Sequence, residues 1–82
     1  MKLSYDPRHN VAYIRLREKT TEVETIRVSD ELNVDLAPDG TVYGIELLNA
    51  NEQLRAGDDG RLVVVEAEGK ERSLTLASEL RP

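Results

Sequence analysis

Apolar and polar residues alternate with a period of two along most of this 82-residue chain, a pattern typical of half-buried β-strands. The clearest case is the segment 11–17, where Ala12, Ile14 and Leu16 share one face and the residues between them share the other. We expect residues 23–28 to form an edge strand. The alternation predicts about six to seven short strands, in segments 2–6, 11–17, 23–28, 32–36, 41–48, 61–68 and 71–77.

Turn-forming residues separate these segments and join neighbouring strands into hairpins. Asp6-Pro-Arg-His-Asn10 follows the first segment, Pro38-Asp39-Gly40 follows the fourth and Gly69-Lys70 follows the sixth, while a polar link lies at 19–22. Proline presets φ for a turn, and Asp and Asn bond to their own backbone. The chain is therefore predicted to be a β-dominated α+β fold built from antiparallel hairpins or a β-meander.

One short helix, near residues 50–56, is predicted between the second and third hairpins. Asn49 is a favoured N-cap residue, and Glu52 stands three residues later, as in a capping box. Gly57 stands where helices commonly end. A chain of this length forms a single domain, residues 1–82.

The aromatic residues and one glycine are the candidate interaction residues. The chain contains no Phe, Trp or Cys, so its three tyrosines, Tyr5, Tyr13 and Tyr43, are its only aromatic side chains. Gly44 stands inside a strand, where glycine costs stability unless a bulge, a bend or the approach of another backbone or aromatic ring requires a missing side chain. For each tyrosine, a place in the core is the structural alternative.

The segment 61–68 predicts self-association. Leu62 and Val64 lie on one face of it, and Val63 and Val65 lie on the other. A strand that is apolar on both faces needs cover on both, and so short a chain has little material for two coverings. We therefore expect a homo-oligomer, with a dimer favoured; the alternative is that the helix covers one face.

The charge balance and the apolar runs exclude several classes of partner. The net charge of -5 disfavours nucleic-acid binding by this chain alone and favours a basic protein partner, although solubility also explains it. The longest apolar run, 62–65, is too short to span a membrane. The absence of cysteine and of an apolar leader predicts a cytoplasmic protein.

Enzymatic activity is not expected, because the chain lacks the usual catalytic combinations. His9 is the single histidine, and without cysteine it completes neither a nucleophilic triad nor a zinc site. Residues 35–46 match an EF-hand loop at its first, fifth, sixth and twelfth positions, but their flanks alternate like strands, and a hairpin turn explains them. No metal or cofactor is predicted. The alternative is a small metal-dependent or acid/base enzyme that uses Asp35, Asp39, Glu46 and His9.

Several motifs resemble one family. They are Tyr5-Asp-Pro, Ala12-Tyr-Ile-Arg-Leu16, Glu22-Val-Glu24, Asn33-Val-Asp35 and Gly40-Thr-Val-Tyr-Gly-Ile-Glu-Leu-Leu-Asn-Ala50. Over about residues 3–50 the chain resembles the small prokaryotic family named domain of unknown function 2283, and residues 51–82 look like an appended helix and hairpin. Where that family usually carries acidic or small residues after the proline, this chain has Arg8-His9-Asn10.

The resemblance implies a compact β-meander with a helix, and no established activity. Some relatives are encoded beside small toxin-like proteins, which suggests an antitoxin-like binding role. Together with the residue patterns, this predicts a non-enzymatic, homo-oligomeric binding or assembly module whose candidate interaction residues are Tyr5, Tyr13, Tyr43 and Gly44.

Overall fold

The computed structural model describes residues 1–18 and 22–76 of the chain; the predicted link at 19–22 and the end of the last predicted strand fall partly outside these residues. In the described part, seven strands form two antiparallel sheets, with one short helix and a 3-10 turn between them. The β-dominated α+β fold is therefore confirmed. The elements are β1 (Lys2–Asp6), β2 (Val11–Arg15), β3 (Glu24–Ser29), β4 (Leu32–Leu36), β5 (Val42–Leu48), α1 (Ala50–Arg55), the 3-10 turn (Asp58–Gly60), β6 (Arg61–Val65) and β7 (Glu71–Thr75).

The larger sheet has the strand order β1-β2-β5-β4-β3, and the smaller sheet is the hairpin β6-β7. Strands β3, β4 and β5 follow one another as a meander, and β1 and β2 form a hairpin beside it. The two parts meet where β2 pairs antiparallel with β5, with Val11 opposite Leu48 and Arg15 opposite Gly44. This is the Greek-key order, and it leaves β3 at an edge, as expected.

Directly opposed residues point to the same side of the sheet, so its register separates two faces. The apolar face is defined by two rows across the strands, one through Leu3, Ile14, Ile45, Val34 and Ile26 and one through Tyr5, Ala12, Leu47 and Leu32. The polar face is defined by Ser4, Tyr13, Glu46, Asn33 and Arg27 and by Lys2, Arg15, Gly44, Asp35 and Thr25.

The hydrophobic core within the described residues is small. Its buried apolar residues are Ala12, Ala37, Tyr43, Ala50 and Leu76. Three of these are alanines, and the central aliphatic residues of the apolar face, Ile14, Val34 and Ile45, are only half-buried. Most of the large apolar side chains in the described ranges, 1–18 and 22–76, therefore remain at least partly in contact with water.

Asn10, in the turn between β1 and β2, caps the start of α1. The backbone N–H of Ala50 donates to the Asn10 carbonyl oxygen at 2.9 Å, and the N–H of Asn51 donates to Asn10 Oδ1 at 2.8 Å. Asn49 occupies the N-cap position in a left-handed conformation and makes no side-chain cap bond. Its amide donates instead to Glu52 Oε2 at 2.9 Å. The predicted capping box is thus wrong, because a residue distant in sequence bonds the free N–H groups.

The end of α1 also differs from the prediction. Gly57 has φ -129°, an extended value that any residue adopts, while the left-handed positions are Asp58 and Asp59. Gly57 therefore does not serve as a left-handed helix C-cap. No helix in the described part of the chain is long and apolar enough to cross a membrane.

Two strands end earlier than their alternation predicts. The turn that follows β6 begins at Glu66, where the backbone N–H of Gly69 donates to the Glu66 carbonyl at 2.8 Å, and this turn removes 66–68 from the predicted strand. Strand β2 ends at Arg15, although the N–H of Leu16 still donates to the Tyr43 carbonyl at 2.8 Å. The apolar periodicity of the sequence therefore extends beyond the ends of the regular strands β2 and β6.

Candidate functional site

A cluster of hydrogen-bonded polar side chains lies on the polar face, around Gly44. Tyr13 on β2 is directly opposite Glu46 on β5, and Gly44, two residues before Glu46, is opposite Asp35 on β4. Because glycine has no side chain, the Tyr13 ring can cross β5 and approach β4. The register thus brings a tyrosine and a carboxylate together from strands that are not neighbours.

The Tyr13 ring occupies the space above Gly44. A Cβ atom at residue 44 would lie 2.1 Å from Tyr13 Oη and 2.4 Å from its Cζ, far inside any allowed contact. Of the reasons that the sequence offered for a glycine inside this strand, the approach of an aromatic ring is the one observed. The pairing of β4 with β5 also shifts register between Asp35 and Leu36, so an irregularity lies next to the same site.

Asp35 receives hydroxyl donors on both carboxylate oxygens. Tyr13 Oη donates to Oδ2 at 2.7 Å, and Thr25 Oγ1 donates to Oδ1 at 2.6 Å. The Asp35 residue is only 7% exposed. A buried carboxylate needs such donors, because burial removes the water that would otherwise stabilise its charge. These bonds link β2, β3 and β4 on one side of the sheet.

The electrostatics of the cluster keep Tyr13 protonated. Burial of the hydroxyl, followed by its hydrogen bond to the Asp35 carboxylate, raises the pKa of Tyr13 to about 12. The phenol is therefore neutral through the physiological range and acts as a donor to Asp35. Neither group is arranged as a free general base, since the bond holds the phenol proton against the carboxylate.

Glu46 and Arg15 flank the cluster, and each has a nearby partner. Glu46 Oε1 accepts a bond of 2.9 Å from Asn33 Nδ2 on β4. Arg15 Nη2 lies 3.0 Å from Glu18 Oε1, so it forms an ion pair with a residue three positions later. A shallow depression of about 310 Å³ beside them is lined by Lys2, Ser4, Tyr13, Arg15 and Glu18.

The four residues of the alternative enzyme do not meet in one site. Asp35 and Glu46 share the polar face, but His9 lies in the β1–β2 turn and Asp39 in the β4–β5 turn. These turns flank opposite ends of β5, because the first adjoins Leu48 and the second precedes Val42. The described residues contain no group of three or more His, Cys, Asp or Glu side chains that could hold a metal ion.

His9 and Asp39 have local roles in their turns. His9 Nδ1 lies 2.7 Å from Asp6 Oδ2, and this hydrogen bond is the first cause that lowers the pKa of Asp6. Asp39 Oδ1 accepts the backbone N–H of Thr41 at 2.9 Å. The hydroxyl and N–H of Thr41 hold the pKa of Asp39 below its usual value.

The three tyrosines lie in different environments. Tyr5 is opposite Ala12 and so belongs to the apolar face, where its hydroxyl lies 3.5 Å from Asn10 Oδ1. Tyr13 lies on the polar face, and Tyr43 is buried. These residues therefore do not form a single tyrosine surface.

The sequence analysis did not identify two residues whose side chains hold the site and the helix in place. Thr25 completes the bonds to Asp35, and Asn10 caps α1. The alternation of β3 could have identified Thr25, because it places this residue on the side opposite to the apolar Ile26. Asn10 carried a weaker signal, since asparagine is one of the few residues that adopts the positive φ found there.

Comparison with known proteins identifies a family for the sheet. No curated protein and no solved structure matches the chain significantly. The family model described as protein of unknown function (DUF2283) matches residues 2–51, which include all five strands of the larger sheet. The β6-β7 hairpin lies outside the matched residues. Since the match spans more than half of its length, the chain belongs to the DUF2283 family.

Proposed function

We propose that this protein is a non-enzymatic module that associates with copies of itself, with a dimer favoured, and binds other proteins through the surfaces that remain exposed. The observation that carries the proposal is the small core of the single chain. Among the described residues the buried apolar set consists of three alanines, one tyrosine and one leucine. Such a core supplies little of the burial that must offset chain entropy.

The apolar face supports self-association directly. Ile14, Val34 and Ile45 lie in the centre of the sheet and remain half-buried, while Leu3 and Ile26 at its edges are exposed. Burial of apolar surface contributes about 25 cal/mol per Å². An apolar layer placed on this face would convert a one-sided sheet into a two-layered domain, the usual arrangement in stable proteins.

The polar cluster fits a structural role within such a module. Asp35 has a donor on each oxygen, and Tyr13 keeps its proton at neutral pH. Internal hydrogen bonds of this kind support a structural role, because both oxygens of the Asp35 carboxylate already accept a bond. The other two residues of the enzyme alternative, His9 and Asp39, lie in turns that adjoin opposite ends of β5.

A second candidate function is antitoxin-like binding of a basic protein. All six residues of the edge strand β3 are exposed, and acidic side chains border this strand at Glu22, Glu24, Asp30 and Glu31. An exposed edge offers unpaired backbone groups to an added strand, and acidic neighbours favour a basic one. The net charge of -5 favours the same kind of partner.

The test is the oligomeric state of two matched variants. Leu3 and Ser4 are neighbours on β1 that point to the apolar and polar faces, respectively. We expect the wild-type chain to sediment as a dimer or larger oligomer, Leu3→Lys to shift it towards monomer and Ser4→Lys to leave it unchanged. Circular dichroism checks that both variants keep their strands.

A wild-type chain that stays monomeric at every concentration would refute self-association. Co-purification with a stoichiometric basic protein, displaced by a charge reversal at Glu24 and preserved by the Ser4→Lys control, would instead support the antitoxin-like function.

A further inference from the structure

The β6-β7 hairpin is the second uncovered apolar surface of the chain. Leu62 is opposite Leu74, and Val64, on the same side two residues later, is opposite Arg72 at the edge of this surface. We call the three apolar residues the hairpin patch; their exposed fractions are 42% for Leu62, 63% for Leu74 and 54% for Val64. Three large aliphatic side chains side by side in water cost free energy, so the patch requires a cover.

The hairpin is held to its own subunit at its base. The two residues at that base, Gly60 and Leu76, are buried by the rest of the chain. The backbone N–H of Leu76 donates to the Gly60 carbonyl at 2.8 Å, which extends the pairing of β6 with β7 by one residue pair. Helix α1 packs mainly against β2 and the 3-10 turn, and β6 meets that turn. An isolated two-stranded hairpin is at best marginally stable in water, so its outer part needs a further packing surface.

The apolar face of the larger sheet matches the hairpin patch in chemistry. Its two rows contain no charged side chain, and the charged residue on the same side, Glu24, lies at the end of the edge strand β3. By contrast, the polar face carries Lys2, Arg15, Arg27, Asp35 and Glu46, and each copy has a net charge of -5. Like-charged chains associate best through their uncharged surfaces. This points to a contact between the apolar face and the hairpin patch.

The area of the apolar face favours an exchange of hairpins over a flat contact between the sheets of two copies. From the usual strand spacing and rise, five strands of about five residues cover about 24 by 17 Å, or about 400 Å². Each partner of a stable dimer buries about 800 Å². A flat contact between two apolar faces therefore supplies about half of this area and leaves both hairpins exposed.

We infer that, in the dimer, the β6-β7 hairpin of each copy lies with its hairpin patch on the apolar face of the other copy. This inference rests on the proposed self-association. Each copy has one partly covered apolar face and one exposed hairpin patch, so a twofold exchange covers both kinds of surface by making the same contact twice. The partner is thus a second copy of this chain, and the hairpin acts as an exchanged arm.

Crosslinking between single-cysteine variants tests the exchange, because the natural chain has no cysteine. Leu3→Cys and Ile26→Cys place reporters at the two edges of the apolar face, and Leu74→Cys places one on the hairpin patch. Matched controls on the opposite surfaces are Ser4→Cys, Arg27→Cys and Ser73→Cys. Pairs of variants are unfolded together, refolded and treated with a short bismaleimide.

We expect mixed crosslinks between Leu74→Cys and the Leu3→Cys or Ile26→Cys chain to exceed every control pair by at least about tenfold. A dimer in which these pairs do not exceed the controls would refute the exchange while leaving self-association intact. A chain carrying both Ile26→Cys and Leu74→Cys that crosslinks only within itself would show that the hairpin covers its own sheet. A monomer at all concentrations would refute both proposals.

Discussion

The hydroxyl of Tyr13 donates to the carboxylate of Asp35, 22 residues later, by lying across the strand that separates them. Strand β5 permits this contact because Gly44 has no side chain beneath the ring. The bond spans β2 and β4, which do not pair with each other. It therefore couples the β1-β2 hairpin to the β3-β4-β5 meander in addition to the backbone bonds between β2 and β5.

Gly44→Ala is expected to displace the Tyr13 ring, because the new methyl group would occupy the position of the phenol. Overpacking of this kind costs about 1–3 kcal/mol of unfolding free energy. Urea unfolding at a fixed protein concentration measures the loss. Gly57→Ala is the control, since no atom lies within 4 Å of a Cβ there and its φ is extended.

The cost of Gly44→Ala should shrink when Tyr13→Ala is already present, because the ring that the methyl group meets is then absent. An equal cost in both backgrounds would show that the glycine serves some other backbone requirement.

Tyr13→Phe is expected to destabilise the fold more than Thr25→Val. Both changes remove a hydroxyl donor to Asp35, and a hydrogen bond to a charged group contributes about 1.5–3 kcal/mol. Thr25 lies on the exposed edge strand, so water can replace its hydroxyl, whereas Tyr13 is half-buried. Thermal or urea unfolding of the two variants measures the difference, and equal losses would contradict the assigned order.

The Tyr13 phenol should ionise near pH 12, as followed by ultraviolet absorbance of tyrosinate. An exposed tyrosine has a pKa of about 10, so the folded state holds this proton more tightly than the unfolded state. The stability that results is fully present below pH 10 and is lost as the pH rises towards 12. Tyr13→Phe should remove both the titration step near pH 12 and this loss of stability. If the substitution instead removes a step near pH 10, the burial of the Tyr13 hydroxyl is contradicted.

Asn10→Gly is expected to cost about 1 kcal/mol, the usual value of a lost helix cap. Asn10→Ala should cost more, because residue 10 has φ 54° and an alanine in the left-handed region adds about 1–2 kcal/mol. Asn49→Gly should cost less than either, since Asn49 makes no side-chain cap bond. Urea midpoints rank the three variants. A larger loss of stability for Asn49→Gly than for the Asn10 variants would show that Asn49 caps the helix, as the sequence predicted.

Alternation and turn chemistry were sufficient to locate the strands and hairpins of this protein, but not to place the ends of β2 and β6. The pattern of Ala12, Ile14 and Leu16 predicted one apolar face, and Pro38-Asp39-Gly40 predicted a tight turn, because both signals arise from neighbouring residues. The position of Gly44 inside a strand also indicated a bulge, a bend or the close approach of another group. The cap of α1 could not be predicted in this way, since the residue that bonds Ala50 and Asn51 lies in a distant turn.

Register and pairing between distant strands required the folded structure. Nothing in the local pattern of β2 indicates that its neighbour is β5, and nothing near Tyr13 indicates that its hydroxyl meets Asp35. A period-two pattern indicates that a strand has an apolar side. It does not indicate which strand pairs with it or in which register the two strands pair. The burial of each side chain depends on the packing of all elements together. Only the folded structure therefore shows how few apolar residues are buried in the core and how exposed the β6-β7 hairpin is.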